Sequence, residues 1–238
     1  MTYYYDYLKK LETVCKKNKI QLQEIGKINL LPIYKIVLNP AGRKVVVFSA
    51  GLHGDEIAGP WSVIDFLKKY DFQSYPNIKI IIFPVASPTA FNERKRYNYL
   101  NKELNGLFCR KKLSHENRIL FNELKNENVF FFHALHGDID EYSFYLYNFE
   151  NKEEKIYREL IILAEKYFPI NKSQKIYNDP AINGLIINRQ DGSFEDRMFR
   201  EGTPYSMCTE SPEKQPLKKT VSLNVDLMNK VIDFISLQ

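Results

Sequence analysis

Two short, uninterrupted apolar runs set the first limit on what this chain can fold into. Val45 to Ala50 and Ile78 to Ala86 lack the alternation of a half-solvated strand, which is the pattern of strands covered on both faces. Between them Ile57, Trp61, Ile64 and Leu67 fall at helical spacing. Strand, loop, helix and buried strand make a βαβ unit, and that connection implies parallel pairing. A third buried run, Val129 to Leu135, continues the scheme, and Tyr142, Phe144 and Leu146 alternate as in a further strand. Helical spacing recurs over 3–16, near 116–126, over 153–168 and over 222–236, and extended stretches lie near 20–25 and 30–38. Residues 87–115 read as a long loop region, and loops of that length in a compact domain usually carry function. No repeat, low-complexity tract or linker divides the chain, so the expectation is a single α/β domain over residues 1–238.

Composition removes several classes. With 238 residues, 44% hydrophobic and 26% charged, the chain can bury a large core without disulfides and is not disordered. The net charge of +5 comes from scattered lysines rather than one dense stripe, so a solvated face is expected and nucleic acid is not an expected partner. Cys15, Cys109 and Cys208 are odd in number, far apart and outside any CxxC pair. That argues against a zinc ribbon or a disulfide framework and for a reducing compartment. The N-terminal residues lack a signal-peptide pattern, and no run reaches the ~18 apolar residues of a membrane span. The expectation is a cytoplasmic protein with no membrane partner.

The chemistry concentrates at two strand ends. Gly51-Leu52-His53-Gly54-Asp55-Glu56 follows the first buried strand, where α/β folds place their sites. His53 and Glu56 can turn toward one point and offer zinc an imidazole nitrogen and a carboxylate oxygen. Such a pair alone arises by chance in many chains, and its plain alternative is a helix-capping Asp55 with an exposed Glu56. His133-Ala134-Leu135-His136-Gly137-Asp138 closes the third buried run. Residues three apart in a strand face opposite ways, so His136, at the strand end, is the candidate ligand and His133 a packed or hydrogen-bonded neighbour. His115, in a charged stretch, reads as exposed. His53, Glu56 and His136 would complete a His₂Glu set with a position open for water, whose pKa a bound zinc lowers toward ~7.

At this point the sequence resembles the zinc carboxypeptidases and their relatives, the succinylglutamate desuccinylase–aspartoacylase group. The resemblance runs from about Val45 to Ser211 in four ordered blocks: His53 and Glu56; Arg96-Tyr97-Asn98 through Glu103-Leu104-Asn105-Gly106-Leu107-Phe108; Leu135-His136; and Cys208-Thr209-Glu210-Ser211. It implies a single-domain α/β/α sandwich with a mostly parallel mixed central sheet flanked by helices, and one Zn²⁺ per chain. It further implies that Arg96 polarises the scissile carbonyl and that Glu210 is the general base. Glu103, where the family has aspartate, would orient His53 from behind, and Asn105 would help bind a substrate carboxylate. Gly192-Ser193-Phe194-Glu195 resembles the segment lining the specificity pocket, which would point Phe194 at the substrate.

The chain also departs from the pattern. The family arginine that clamps a C-terminal carboxylate aligns with Gly106, and the tyrosine before the pocket segment is replaced by Asn188 or Arg189. Ser87-Pro88 stands where the family has Asn-Pro. Losing the guanidinium removes the main basis for exopeptidase selectivity, with Lys102, Arg110, Arg189 and Arg197 as the basic residues able to compensate. The expected activity is therefore zinc-dependent hydrolysis of an amide bond in a peptide or peptide-like substrate, as in small members resembling murein peptide amidases. The alternatives are a desuccinylase-type deacylase of acyl-amino acids and a non-catalytic zinc-binding member.

Overall fold

The structure, a computed structural model, describes residues 2–71, 74–149, 155–187 and 189–238. In chain order the elements are α1 Tyr3–Lys17, β1 Leu22–Ile28, β2 Leu31–Leu38, β3 Lys44–Ala50, α2 Ala58–Lys69, β4 Ile78–Phe83 and α3 Pro88–Glu93. After a 3-10 turn at Asn105–Leu107 come α4 His115–Asn122, β5 Val129–Asp138, β6 Tyr145–Asn148, α5 Lys155–Glu165, β7 Lys175–Ile176 and β8 Asp179–Ile182. Then follow β9 Leu185–Ile187, α6 Phe194–Arg200, β10 Tyr205–Pro212 and α7 Leu217–Ser236. The described strands form one ten-stranded sheet in the order β1-β2-β4-β3-β5-β10-β6-β9-β8-β7. Its centre, β4-β3-β5-β10, is parallel, and β1, β2 and β6 join it antiparallel.

The continuous apolar runs are explained by burial on both faces. In β3, Val46, Phe48 and Ala50 enter the core beneath α1, α2, α5 and α7. Val45 and Val47, pointing the other way, join Phe121 of α4 and Phe194 and Met198 of α6. Each fully buried side chain of this size contributes about 1.5–3 kcal/mol, so the central strands are fixed from both sides. The molecule is thus an α/β/α sandwich around a mixed sheet, and the βαβ unit is parallel as its sequence pattern requires.

Some boundaries move. The strand beginning at Ile78 stops at Phe83 because Pro84 offers no N–H to the ladder. The 87–115 region holds a six-residue helix, α3, started by Pro88 at its first turn. α4 ends at Asn122, short of the expected 126, whereas α7 begins five residues before the expected 222. β6 starts at Tyr145, with Phe144 bridging to Ile170. Residues 153 and 154 of the expected 153–168 helix lie outside the described residues. Among the described residues no helix is long and apolar enough to cross a membrane.

The parallel centre decides where chemistry can gather. β3, β5 and β10 end at the same edge of the sheet, and the register sets Ala50 beside Leu135 and Glu210 beside His136.

Candidate metal centre and active site

The turn leaving β3 is held in a shape that few sequences allow. Gly51 has φ +64°, the left-handed region that glycine occupies without penalty. Gly54 donates its N–H to Lys95 O at 2.9 Å, and a Cβ there would lie 2.0 Å from Ala90 C and O. The turn is therefore pressed onto the end of α3, and His53 and Glu56 are directed inward, each 3% exposed. The N-terminus of α2 is not capped by Asp55: Glu213 accepts the Ala58 N–H at 3.0 Å.

Three side chains meet at the sheet edge. His53 Nδ1 lies 2.6 Å from Glu56 Oε1, His136 Nδ1 lies 2.8 Å from Glu56 Oε2, and the two Nδ1 atoms are 3.2 Å apart. Donors bound at 2.0–2.2 Å in a tetrahedral zinc site are separated by about 3.3 Å; the two imidazole nitrogens stand at that spacing, and the carboxylate, closer to both, supplies the third donor type such a site uses. All three residues are buried, and their donor atoms lie within 4.8 Å of one another. Burial alone would raise the Glu56 carboxyl, but His53 and His136 outweigh it and hold it well below the usual carboxylate range. Burial would lower both histidines, yet Glu56 leads the groups that raise each above its ordinary value.

The surrounding groups are ordered around this cluster. His53 Nε2–H donates to Glu103 Oε1 at 2.7 Å, and Glu103 also accepts the Asn105 and Gly106 N–H groups at 2.9 and 2.8 Å. Arg96 Nη1 lies 3.3 Å from Glu56 Oε1. Glu210, on β10 beside His136, has its carboxyl pushed up to about 7, by burial first; His136 opposes this and Glu56 and Asp138 add to it. A cleft of about 440 Å³ opens onto Glu56, Arg96 and Glu210, with Tyr145, Tyr147 and Arg189 on its walls.

The loop carrying Arg96 and Glu103 depends on a residue the sequence did not flag. Glu116, 2% exposed on α4, accepts Asn98 Nδ2–H at 2.7 Å and the hydroxyls of Ser87 and Thr89 at 3.2 and 3.4 Å. Asn98 Oδ1 in turn accepts the Leu100 and Lys102 N–H groups, each at 3.0 Å. Glu116 stands next to exposed His115 in a charged stretch, so nothing in its spacing marks it as buried.

Other expected residues fall elsewhere. His133 is fully buried, with Nε2 2.9 Å from Thr209 Oγ1, and takes no part in the cluster. Phe194, expected to face the substrate, does not line the cleft. It is 1% exposed and stacks on Phe108 with ring centroids 4.1 Å apart, because the start of α6 packs inward against β5. Asn105 does not line the cleft, and its Oδ1 accepts the Phe194 N–H at 3.1 Å. Of the four basic residues able to replace the missing arginine, Arg189 alone lines the cleft, its guanidinium 4.6 Å from the Tyr147 ring centroid. Asn188 lies outside the described residues.

Residues 41–141 match the model of the succinylglutamate desuccinylase/aspartoacylase catalytic domain. A "putative metallopeptidase" from Shewanella amazonensis superposes with a TM-score of 0.88 at 27% identity, covering 96% of this chain and 91% of that one. These matches support a zinc carboxypeptidase-like fold for the chain. Two more distant members of that fold are a metallo-carboxypeptidase from Burkholderia cenocepacia and bovine thrombin-activatable fibrinolysis inhibitor. The first matches at 16% identity and a TM-score of 0.75, over 95% of this chain and 67% of that one. The second matches at 13% and 0.74, over 99% and 97%. No curated protein matches the chain. In this carboxypeptidase-like chain the matched region spans His53, Glu56, Arg96, Glu103 and His136 and ends before Glu210.

Proposed function

We propose that the protein is a zinc-dependent amide hydrolase acting on a peptide or peptide-like substrate. The observation that carries this reading is the convergence of His53 Nδ1, His136 Nδ1 and the Glu56 carboxylate beside Glu210 and Arg96 at one cleft. Held by His53, Glu56 and His136, zinc would supply a Lewis acid and an acidified water. The other roles belong to the chain. Glu210, with its carboxyl near neutrality, takes a proton from the attacking water and passes it to the leaving amine. Arg96, half-exposed at the cleft, turns from Glu56 to the substrate carbonyl and stabilises the developing oxyanion. Glu103 keeps the proton of His53 on Nε2 and leaves Nδ1 free to bind.

A second reading, deacylation of an N-acyl amino acid, is favoured by the desuccinylase/aspartoacylase match and by Gly106, which cannot clamp a peptide C-terminus. Arg189 offers a cation on the cleft wall for an anionic group of either substrate. The test is a panel of peptides and N-acyl amino acids with the purified protein, with and without chelator. Glu210→Gln should lower kcat by about 10²–10⁴-fold with bound zinc unchanged. Turnover that survives the chelator, or that Glu210→Gln leaves intact, removes the mechanism; no turnover of any amide leaves a zinc-binding protein without catalysis.

A further inference from the structure

His53 and His136 are alike in more than their inward nitrogens. Each turns Nδ1 toward Glu56, and each presents Nε2 to a further carboxylate. Behind His53 stands Glu103 at 2.7 Å. Behind His136 stands Glu195, its Oε1 3.5 Å from Nε2. Glu195 is fully buried, and among the described residues neither of its carboxylate oxygens has a hydrogen-bond partner. A buried carboxylate left unpaired is costly, and the group its oxygen faces is the His136 imidazole. The backbone that carries it is fixed independently of that contact. Glu195 O accepts the Ser206 hydroxyl at 2.7 Å, the neighbouring Phe194 ring is stacked in the core, and Asn105 Oδ1 holds the Phe194 N–H.

We propose that Glu195 is a positioning residue of the metal centre: its carboxylate takes the Nε2–H of His136 and so aims the Nδ1 lone pair at the point shared with His53 and Glu56. The inference rests on the reading that these three residues hold a metal. A neutral imidazole carries one proton, and the nitrogen without it is the donor. A carboxylate behind Nε2 keeps the proton there, fixes the ring plane and makes Nδ1 a stronger ligand. Both histidines of the cluster are then set by the same device, Glu103 from the loop after α3 and Glu195 from α6. Sequence spacing hides the second pair, since Glu195 and His136 sit on separate elements that meet only when α6 packs on β5.

Cys208 supplies the rival assignment. Its Sγ, a Glu195 oxygen and a His136 nitrogen lie within 4.8 Å of one another, so the same three residues could instead be ligands of a second ion. The test measures zinc stoichiometry and zinc affinity, by competition with a chromophoric chelator, together with the melting temperature of the metal-free protein. The proteins compared are the native chain, Glu195→Ala, Glu195→Gln and Cys208→Ala. We expect one zinc per chain throughout, affinity lowered about 10–100-fold in Glu195→Ala, and a smaller loss in the same direction in Glu195→Gln, whose amide oxygen still accepts Nε2–H. Cys208→Ala should bind like the native chain. The melting temperature of metal-free Glu195→Ala reads the structural cost of losing this side chain and its contact with His136, separately from the affinity. Should Glu195→Ala fail to fold, Glu195→Gln carries the test. Equal affinities in the native chain and the Glu195 variants, or melting lowered at unchanged affinity, would overturn the proposal. Two zinc ions in the native chain, one of them lost in both Glu195→Ala and Cys208→Ala, would make Glu195 a ligand instead. A native chain that binds no zinc would sink the underlying metal reading, a result distinct from all of these.

Discussion

Arg96 and Glu210 face the same cleft but differ in how far the molecule constrains them. Glu210 is set by the register of β10 against β5, which places it beside His136. Arg96 hangs from a loop, its side chain 47% exposed and its guanidinium resting near Glu56. A loop-borne guanidinium aimed at developing charge predicts that Arg96→Ala lowers kcat by about 10²–10³-fold while one zinc per chain is still bound; steady-state kinetics with metal analysis checks both. Phe194 gives a prediction of the opposite kind. Stacked on Phe108 inside the core, it should cost about 3–5 kcal/mol of stability when changed to alanine, measured by denaturant unfolding. KM should stay near the native value where the protein is still folded, because the ring does not line the cleft. An aromatic residue after Gly-Ser can face a pocket or a core, and sequence alone carries no sign of which way α6 will lie.

At the scale of elements, the site exists because parallel strands end together, and that much was legible. The apolar runs of β3 and β5 and the histidines closing them are short-range patterns, so His53, Glu56 and His136 could be found before the fold was seen. Glu116, Glu195 and Glu213 could not. Each is a carboxylate whose partner lies on another element: Asn98 on a loop, His136 on β5 and the Ala58 N–H of α2. The strands β7, β8 and β9 escaped for a different reason, being only two to four residues long. Glu213 yields a pH prediction. Burial raises its carboxyl to about 7; the Ala58 N–H opposes this, Glu56 and Asp55 add to it, and Arg94 opposes it. Its ordinary value is 4.5, so the native state holds the proton more tightly than the unfolded chain. Stability from this group is present below about pH 4.5 and is lost as pH rises through 7. Metal-free Glu213→Gln should therefore lose less stability than the native chain between pH 5 and 8, by on the order of 1–2 kcal/mol after solvent screening. Denaturation curves at the two pH values check this, and equal slopes would show that Glu213 ionises freely.

For the whole molecule, the α/β class followed from periodicity, and the α/β/α sandwich followed from the resemblance carried by four ordered blocks. What lay beyond both was the substrate, because Gly106 stands where the resemblance expects an arginine clamp, and Arg189, the one candidate replacement that lines the cleft, comes from a segment with no pattern of its own. On the proposed metal reading, the sandwich would also couple folding to metal. His53 and Glu56 come from the β3–α2 turn, and His136 from the end of β5, so an ion bound by all three ties those elements together. Zinc at 100 times its Kd should add about 2.7 kcal/mol to stability. The most direct test is the zinc content of the purified protein, native and His136→Ala, after equilibration with zinc and removal of excess. One zinc per native chain, absent from the variant, is the predicted result. A native chain that retains none, or a variant that retains as much as the native chain, would contradict the assignment of His53, Glu56 and His136 as the metal centre.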